Sequence, residues 1–430
     1  MTLAATTAAA TGSTTTGRTA AGTTGGVTVR PVRGRADTTA FVTLPRALYR
    51  GDPHWVAPLE RDQRALLDRR RNPFFDVGAA EFFLARRGRR VVGRIATAVD
   101  CRLQARHDAH CGLFGLFECA DDPDAAGALF DTAAAWLRER GLRTMLGPMG
   151  FSTNDECGVL VEGFDGPPSV MMPYNPAHYP ALYAACGLVK AKDLLSWRVP
   201  MPPDGEPPTI IARAAQWATG SPDVRVRPMD PARADADLAA VRDVYTDAWA
   251  GNYASVPMTD REFAHTLRRL RPLIRPELLW FAEVRGEPVA FTLWLPDANQ
   301  ALRAARGRLT TLGVPVGLLR IARAARRVDR TRAIITGIKE AHRSRGLGAA
   351  LITEAQRAAF RLGYTESELS WLLEDNRDAN RYAEAFGGVL FRRHRLYRRD
   401  LHPRSDPRSD PRPVTVTPSP MAAAVPEARR

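Results

Sequence analysis

From residue 278 to 401 the apolar positions change period repeatedly, and the changes mark out a run of elements. Leu278 to Val284 and Pro288 to Leu295 flank Arg285-Gly286-Glu287 and read as a β-hairpin. Ala333 to Ile338 is a third β-type run. A helical pattern follows from Ala349 to Leu362 and stops at Gly363, a position suited to a helix C′ residue. Glu368 to Leu373 predicts a strand, residues 377–386 a second helix ended by Gly387-Gly388, and Val389 to Leu401 a last strand. Helices are expected over 235–271, ahead of the hairpin. The same order recurs in weaker form over 81–198. There Glu81 to Ile95 is a hairpin around Gly88, Cys111 to Cys119 a strand, 124–140 a helix and Leu194 to Val199 the last strand, and Gly141 stands where Gly363 stands in the second copy.

The junction between the third strand and its helix carries chemistry. It reads Arg343-Ser344-Arg345-Gly346-Leu347-Gly348. A strand feeding a Gly-rich turn into a helix N-terminus presents free N–H groups and the positive end of a helix dipole to an anion. Gly346 and Gly348 let backbone approach that anion, and Arg343 and Arg345 supply forked cationic donors. The spacing matches neither the dinucleotide fingerprint nor the P-loop.

This R-x-x-G-x-G turn resembles the pyrophosphate-binding signature of GNAT acyl-CoA N-acyltransferases, and the element order over roughly 225–401 is similar to that of their domain. The wider layout resembles a bacterial group of tandem GNAT-like proteins over about 28–401. The residues that carry this include Asn72-Pro73-Phe74-Phe75, Phe114-Gly115-Leu116-Phe117-Glu118 and Pro296-Asp297-Ala298-Asn299-Gln300. The resemblance implies an α/β (α+β) fold class: two packed GNAT-like domains, each a mixed, mostly antiparallel sheet flanked by helices. It implies backbone pairing of the strand through Ile338 with pantetheine and pyrophosphate held by Arg343, Arg345, Gly346, Leu347 and Gly348. It also places Asn376 near the pantetheine or acyl group. The amine would attack the thioester directly, so the site needs a base, an oxyanion donor and a proton for the thiolate.

One departure matters. The family pattern N-x-x-A-x-x-L-Y-x-x-x-G-F finds Asn376, Ala379 and Gly387 here, but Ala383 occupies the position of the acid Tyr. Tyr382 is one residue early, about 100° round the helix, and is expected to pack. Tyr253, Tyr364, Tyr397 or a water remain open as the acid, and Glu374 and Asp375, at a strand end, are the base candidates. Substrate contacts are expected from Trp249, Asn252, Tyr253, Asp297 and Asn299, and from the long connection Gly147 to Asn175 of the first copy.

The first copy carries Ala120-Asp121-Asp122-Pro123-Asp124 in place of the phosphate turn, and these carboxylates would repel a pyrophosphate. It does retain Tyr183 where the second copy has Ala383. It is either a structural partner or a donor of side chains to a shared site.

Composition bounds the rest. The chain has 430 residues, 45% hydrophobic and 25% charged, enough for two to three domains with cores of their own. The expected division is an Ala/Thr/Gly-rich disordered tail 1–26, a degenerate domain 27–200, a linker 201–224, an acyltransferase domain 225–401 and a Pro-rich disordered tail 402–430. The net charge is +14, but only three of the 61 basic residues are Lys, which points to coding bias more than to a polyanion partner. Arginines crowd 303–332, where a solvated face, contact with the CoA 3′-phosphate or an acidic substrate stay open. The five cysteines contain no C-x-x-C pair, no run is long enough to span a membrane, and no signal sequence is evident. A reduced, cytoplasmic protein is expected, with no metal despite His107-x-x-His110-Cys111, and with neither nucleic acid nor membrane as partner. The functional expectation is an acyl-CoA-dependent N-acyltransferase, most simply one that transfers acetyl from acetyl-CoA to an amine. The alternatives are an inactive CoA-binding scaffold and an aminoacyl or long-chain acyl transferase.

Overall fold

The computed structural model of the chain describes residues 23, 24, 26–310 and 313–401. The expected tail 402–430, and all but Thr23, Thr24 and Gly26 of the expected tail 1–26, lie outside these. The first half contributes strands β1 (Thr23–Thr24), β2 (Val27–Pro31), β3 (Gly78–Arg87), β4 (Arg90–Asp100), β5 (Cys111–Cys119), β6 (Thr144–Gly147), β7 (Val159–Glu162) and β8 (Val189–Pro200). Its helices are α1 (Gly34–Leu48), α2 (Glu60–Leu67), α3 (Cys101–Arg106), α4 (Pro123–Arg138) and α5 (Tyr179–Ala185). The second half adds α6 (Thr209–Thr219), β9 (Val224–Pro228), α7 (Ala234–Ala248), α8 (Asp260–Leu270), β10 (Leu279–Val284), β11 (Glu287–Pro296), α9 (Asn299–Leu302) and α10 (Val316–Ala325). It closes with β12 (Arg330–Ile338), α11 (Leu347–Arg361), β13 (Glu366–Leu373), α12 (Arg377–Ala385) and β14 (Val389–Asp400).

All these strands join one sheet in the order β1-β2-β3-β4-β5-β6-β14-β8-β13-β12-β11-β10-β9, with β7 paired to β14 off the path. Two parallel pairs, β5 with β6 and β12 with β13, interrupt an otherwise antiparallel arrangement. The order shows an exchange. β8 ends the first half but lies against β13 of the second, through Glu366↔Pro200 to Leu373↔Leu194. β14 ends the second half but lies against β6 and β7 of the first. β8 and β14 also pair with each other, so each half's last strand completes the other's sheet.

Helix α11 shows why its sequence folds onto this sheet. Leu347, Leu351, Ala355 and Ala359 recur every four residues and are buried, giving one apolar stripe. That stripe shares a core with Trp280, Val289 and Ala290 of the sheet and with Ile211, Ala215 and Ala218 of α6. Small residues let α6, from the segment expected as a linker, lie close on α11. The first half has its own core, in which Leu129, Phe130 and Ala133 of α4 meet Phe83, Ile95 and Phe114.

The exchanged strand buries His394 completely. Its Nε2–H donates to the Pro173 carbonyl at 3.1 Å, and its Nδ1 has no hydrogen-bond partner. Burial depresses the imidazole from 6.5 to about 4, so the ring is neutral in the fold at neutral pH. Below the unfolded pKa the open chain binds a proton that the folded chain refuses. The stability lost should therefore grow as pH falls from about 6.5 and level off near 4, reaching about 3 kcal/mol. Chemical denaturation of wild type and His394→Asn at pH 7 and pH 4.5 checks this. The gap between the two proteins should shift in favour of the variant at the lower pH, and an unchanged gap refutes it.

Candidate active site

β12 and β13 pair only from Arg330↔Glu366 to Ala333↔Leu369. Beyond that point β12 continues along β11 as far as Ile338↔Ala290, and β13 continues along β8 as far as Leu373↔Leu194. The two strands part, and a cleft opens between their facing edges. At its mouth β12 leads through the turn 343–346 into α11. Ser344 and Gly346 both take left-handed backbone, with φ of 66° and 69°. Gly346 serves as N-cap without a side-chain cap. Among the described residues no acceptor takes the N–H groups of Arg345, Gly346, Leu347 or Gly348. An uncapped helix N-terminus beside an unpaired strand edge suits a phosphate-bearing ligand with an amide-containing arm.

The predicted ligands of this turn differ in placement. Leu347 and Gly348 are buried, and Ile338 packs within 3.5 Å of where a Gly348 Cβ would lie. Arg345 is exposed and pairs with no carboxylate among the described residues, so its fork faces solvent at the turn. Arg343 turns away: its Nη2 donates to the Ala248 carbonyl at 3.1 Å and closes the C-terminus of α7. Trp249 follows that helix end. It stacks on Tyr245 at 4.7 Å and lies where a side chain at Gly337 would collide with it, 2.8 Å from the absent Cβ. Gly337 is thus the residue that admits Trp249 against β12.

The strand-end residues have structural partners. Glu374 accepts from Lys190 at 2.6 Å and from the Asp193 N–H at 3.0 Å. Asp375 accepts from Lys192 at 2.6 Å, which holds its carboxyl below the usual carboxylate range. Both lysines lie on the exchanged strand β8. Held in this way, the Asp375 carboxylate takes up a proton poorly. Asn376 caps α12 by accepting from the Ala379 N–H at 3.2 Å. The tyrosines expected as alternative acids are spread out. Tyr364 and Tyr382 pack in the second core and Tyr397 in the first. Tyr253 packs against the core that contains Leu194 and Leu396, with Lys192 5.2 Å from its ring centre. Tyr183 lies wholly inside the first core among Phe114, Phe117 and Phe130.

The first copy's equivalent cleft is closed. The Met149 N–H donates to the Phe114 carbonyl at 2.9 Å, and a Cβ on Gly115 would lie 1.7 Å from the Met149 oxygen. Asp122 caps α4 by accepting from the Ala125 N–H and ion-pairs Arg87 at 2.9 Å.

The long first-half connection instead reaches the second half at two places. In one, Met149 and Cys157 form a bridge and the loop between them docks on the α7–α8 region. Asn154 Nδ2 donates to the Val256 carbonyl at 3.2 Å, and the Tyr245 hydroxyl donates to Asn154 Oδ1. This loop carries Glu156, an exposed residue with many protein atoms around it. Burial pushes its pKa up, Arg269 and Arg332 pull it down, and Asp155 adds to the rise. In the other, Asp297 accepts from the Val170 N–H at 2.8 Å and Asn299 Nδ2 donates to the carbonyls of Pro168 and Ser169, each at 3.0 Å. Burial pushes the Asp297 carboxyl up to about 6. Asp297 and Asn299 thus anchor a loop at the far end of the sheet from the phosphate turn, while Asn252 makes backbone bonds in the turn after α7. Where the strands part, Arg332 donates to Ser370 Oγ at 2.8 Å and to the Val170 carbonyl at 2.6 Å, tying the loop to both strands. In the sequence Glu156 lies within the long connection Gly147 to Asn175. The available signal was an Asp-Glu pair inside a connection too apolar for disorder.

Residues 238–387 match the model of the Acetyltransferase (GNAT) family. The chain is 33% identical over 383 residues to bacterial ceramide synthase from Caulobacter vibrioides, covering 87% of this chain and 98% of that one. It is 30% identical over 377 residues to protein YghO from Escherichia coli, covering 87% and 95%. The chain belongs to the GNAT acyltransferase family. Among solved structures it is similar to a tandem GNAT protein from the clavulanic acid biosynthesis pathway, with a TM-score of 0.53, 15% identity and coverage of 88% and 100%; this is a likeness of fold. GNAT proteins use acyl-CoA as co-substrate.

Proposed function

We propose that the second half transfers an acyl group from CoA to an amine by direct attack of the amine on the thioester. The observation that carries this reading is the parting of β12 from β13 beside four unaccepted N–H groups at the start of α11. The pyrophosphate would lie on the N–H groups of Arg345 to Gly348, with Arg345 adding charge. The pantetheine would run along the free edge of β12 toward Trp249. The ring of Trp217 on α6 is exposed and approaches Gly346, so it offers the adenine a stacking face. The base is Glu156, because its carboxyl is held above its ordinary pKa and because it lies in the field of Arg332, where the two strands part. Glu374 and Asp375 act as ion-pair partners that position the end of β13. Asp297 and Asn299 shape the site by holding its covering loop.

The identity to bacterial ceramide synthase over nearly its whole length supports a long-chain acyl group and a long-chain amine over acetyl and a small amine. Calorimetric titration of acetyl-CoA and of palmitoyl-CoA into the full chain tests the binding half of this reading. Saturable binding of both, with palmitoyl-CoA tighter, is expected. No binding of either removes the reading.

A further inference from the structure

We infer that the arginine-rich insertion between β11 and β12 docks on the surface of a bilayer containing anionic phospholipid. The argument does not depend on the acyl-transfer reading. In the first copy a short link carrying α3 joins β4 to β5. In the second the chain from Pro296 to Arg330 builds α9, a turn and α10. Between Ala298 and Val328 it has arginines at 303, 306, 308, 320, 323, 326 and 327 and no Asp or Glu. Among the described residues Arg320, Arg323, Arg326 and Arg327 are exposed and pair with no carboxylate. On the same insertion Val314, Leu318 and Leu319 stand 53%, 48% and 66% exposed. Such apolar side chains in a ring of unpaired arginines are costly in water and suited to an anionic interface.

The insertion is held firmly. Gly317 passes so close to the Arg308 carbonyl that a Cβ would lie 1.9 Å from it, and the Leu318 N–H donates to Leu309 at 3.2 Å. Arg303 and Arg308 reach across to Pro53 and Glu60 of the first half. Between this base and α10 lies a cavity of about 540 Å³ lined by Gln300, Arg303, Ala304, Arg306 and Arg320. It contains no carboxylate, and the buried Nε2 of Gln300 has no hydrogen-bond partner. Three guanidinium groups in one recess fit a phosphate headgroup, with the exposed leucines of the same insertion at the level of the acyl chains.

The CoA phosphates do not account for this recess. It sits at the start of β12 and the pyrophosphate turn at its end, and a strand of this length separates them by roughly 26 Å. The charge complementarity therefore points to lipid and revises the expectation from sequence that the chain has no membrane partner. Among the described residues no helix is long and apolar enough to cross a membrane, so the contact is peripheral.

The test is co-sedimentation of the full chain with vesicles of phosphatidylcholine alone or mixed with phosphatidylglycerol. Wild type should pellet with the mixed vesicles only. Each surface arginine contributes about five-fold to partitioning, so combining Arg320→Gln, Arg323→Gln, Arg326→Gln and Arg327→Gln should weaken it about 100-fold or more. Leu318→Asp with Leu319→Asp should also abolish pelleting. All these positions are exposed, and an unchanged thermal midpoint would show that the fold survives. A Leu319→Trp reporter should shift its emission to the blue on mixed vesicles and not with inorganic phosphate. Equal pelleting with both vesicle types, no pelleting with either, or full pelleting of the arginine variant overturns the inference, as does a reporter shift caused by phosphate alone.

Discussion

Gly346→Asp should weaken acyl-CoA binding by about 10²–10⁴-fold, as expected for loss of two charge-assisted hydrogen bonds at about 1.5–3 kcal/mol each. The loss has two sources. The residue has φ of +69°, and its Cβ would meet the Ala214 carbonyl at 3.0 Å, Ala218 Cβ at 3.2 Å and the Trp217 ring at 3.3 Å. Any side chain therefore shifts α6 or the turn. The aspartate would also accept the N–H groups the pyrophosphate needs and place a negative charge against it. Gly346→Ala separates the two, since it has the strain without the charge. Calorimetry should rank wild type above Gly346→Ala and Gly346→Ala well above Gly346→Asp. Equal affinity of all three would move the cofactor elsewhere.

Glu156→Gln should lower kcat about 10²–10⁴-fold, the usual contribution of a general base, and leave acyl-CoA affinity near wild type. Burial raises the carboxyl's pKa, so the working carboxylate form is gained as pH rises. Wild-type kcat/KM should climb through a limb displaced above the ordinary carboxylate range, and the variant should lose that limb. Glu374→Gln and Asp375→Asn should keep it, because their carboxylates serve Lys190 and Lys192. A retained limb in Glu156→Gln, or its loss in Asp375→Asn, would return the base to the strand end.

Much of this site could be read in the chain. The hairpin 278–295, the strand into Arg343–Gly348 and the helix behind it are local patterns, and local patterns report their own period. The stop at Gly363 and the misplaced Tyr382 were legible for the same reason. What the pattern could not report was which strand pairs with which. β8 and β14 each look like the closing strand of their own half, yet each closes the other, because pairing is settled by contacts far apart in sequence. That exchange brings Lys190 and Lys192 beside Glu374 and Asp375, an ion pairing that the pattern of the second half alone cannot show. Arg343 is similar. Its spacing suits a phosphate, but the nearest acceptor in space is the open end of α7. Glu156 is hard to read from sequence because it lies in the first half and comes under the charges of Arg269 and Arg332 only through the packing of the two halves.

The most direct test of acyl transfer is turnover. Palmitoyl-CoA and a long-chain 2-amino alcohol would be incubated with the full chain. The thiol released would be titrated and the amide product weighed by mass spectrometry. The account predicts an N-palmitoyl product formed in step with free CoA thiol, reduced to background by Gly346→Asp. Saturable binding of palmitoyl-CoA with no amide and no thiol, from a panel that includes small amines, would contradict it and leave a CoA-binding protein without the chemistry.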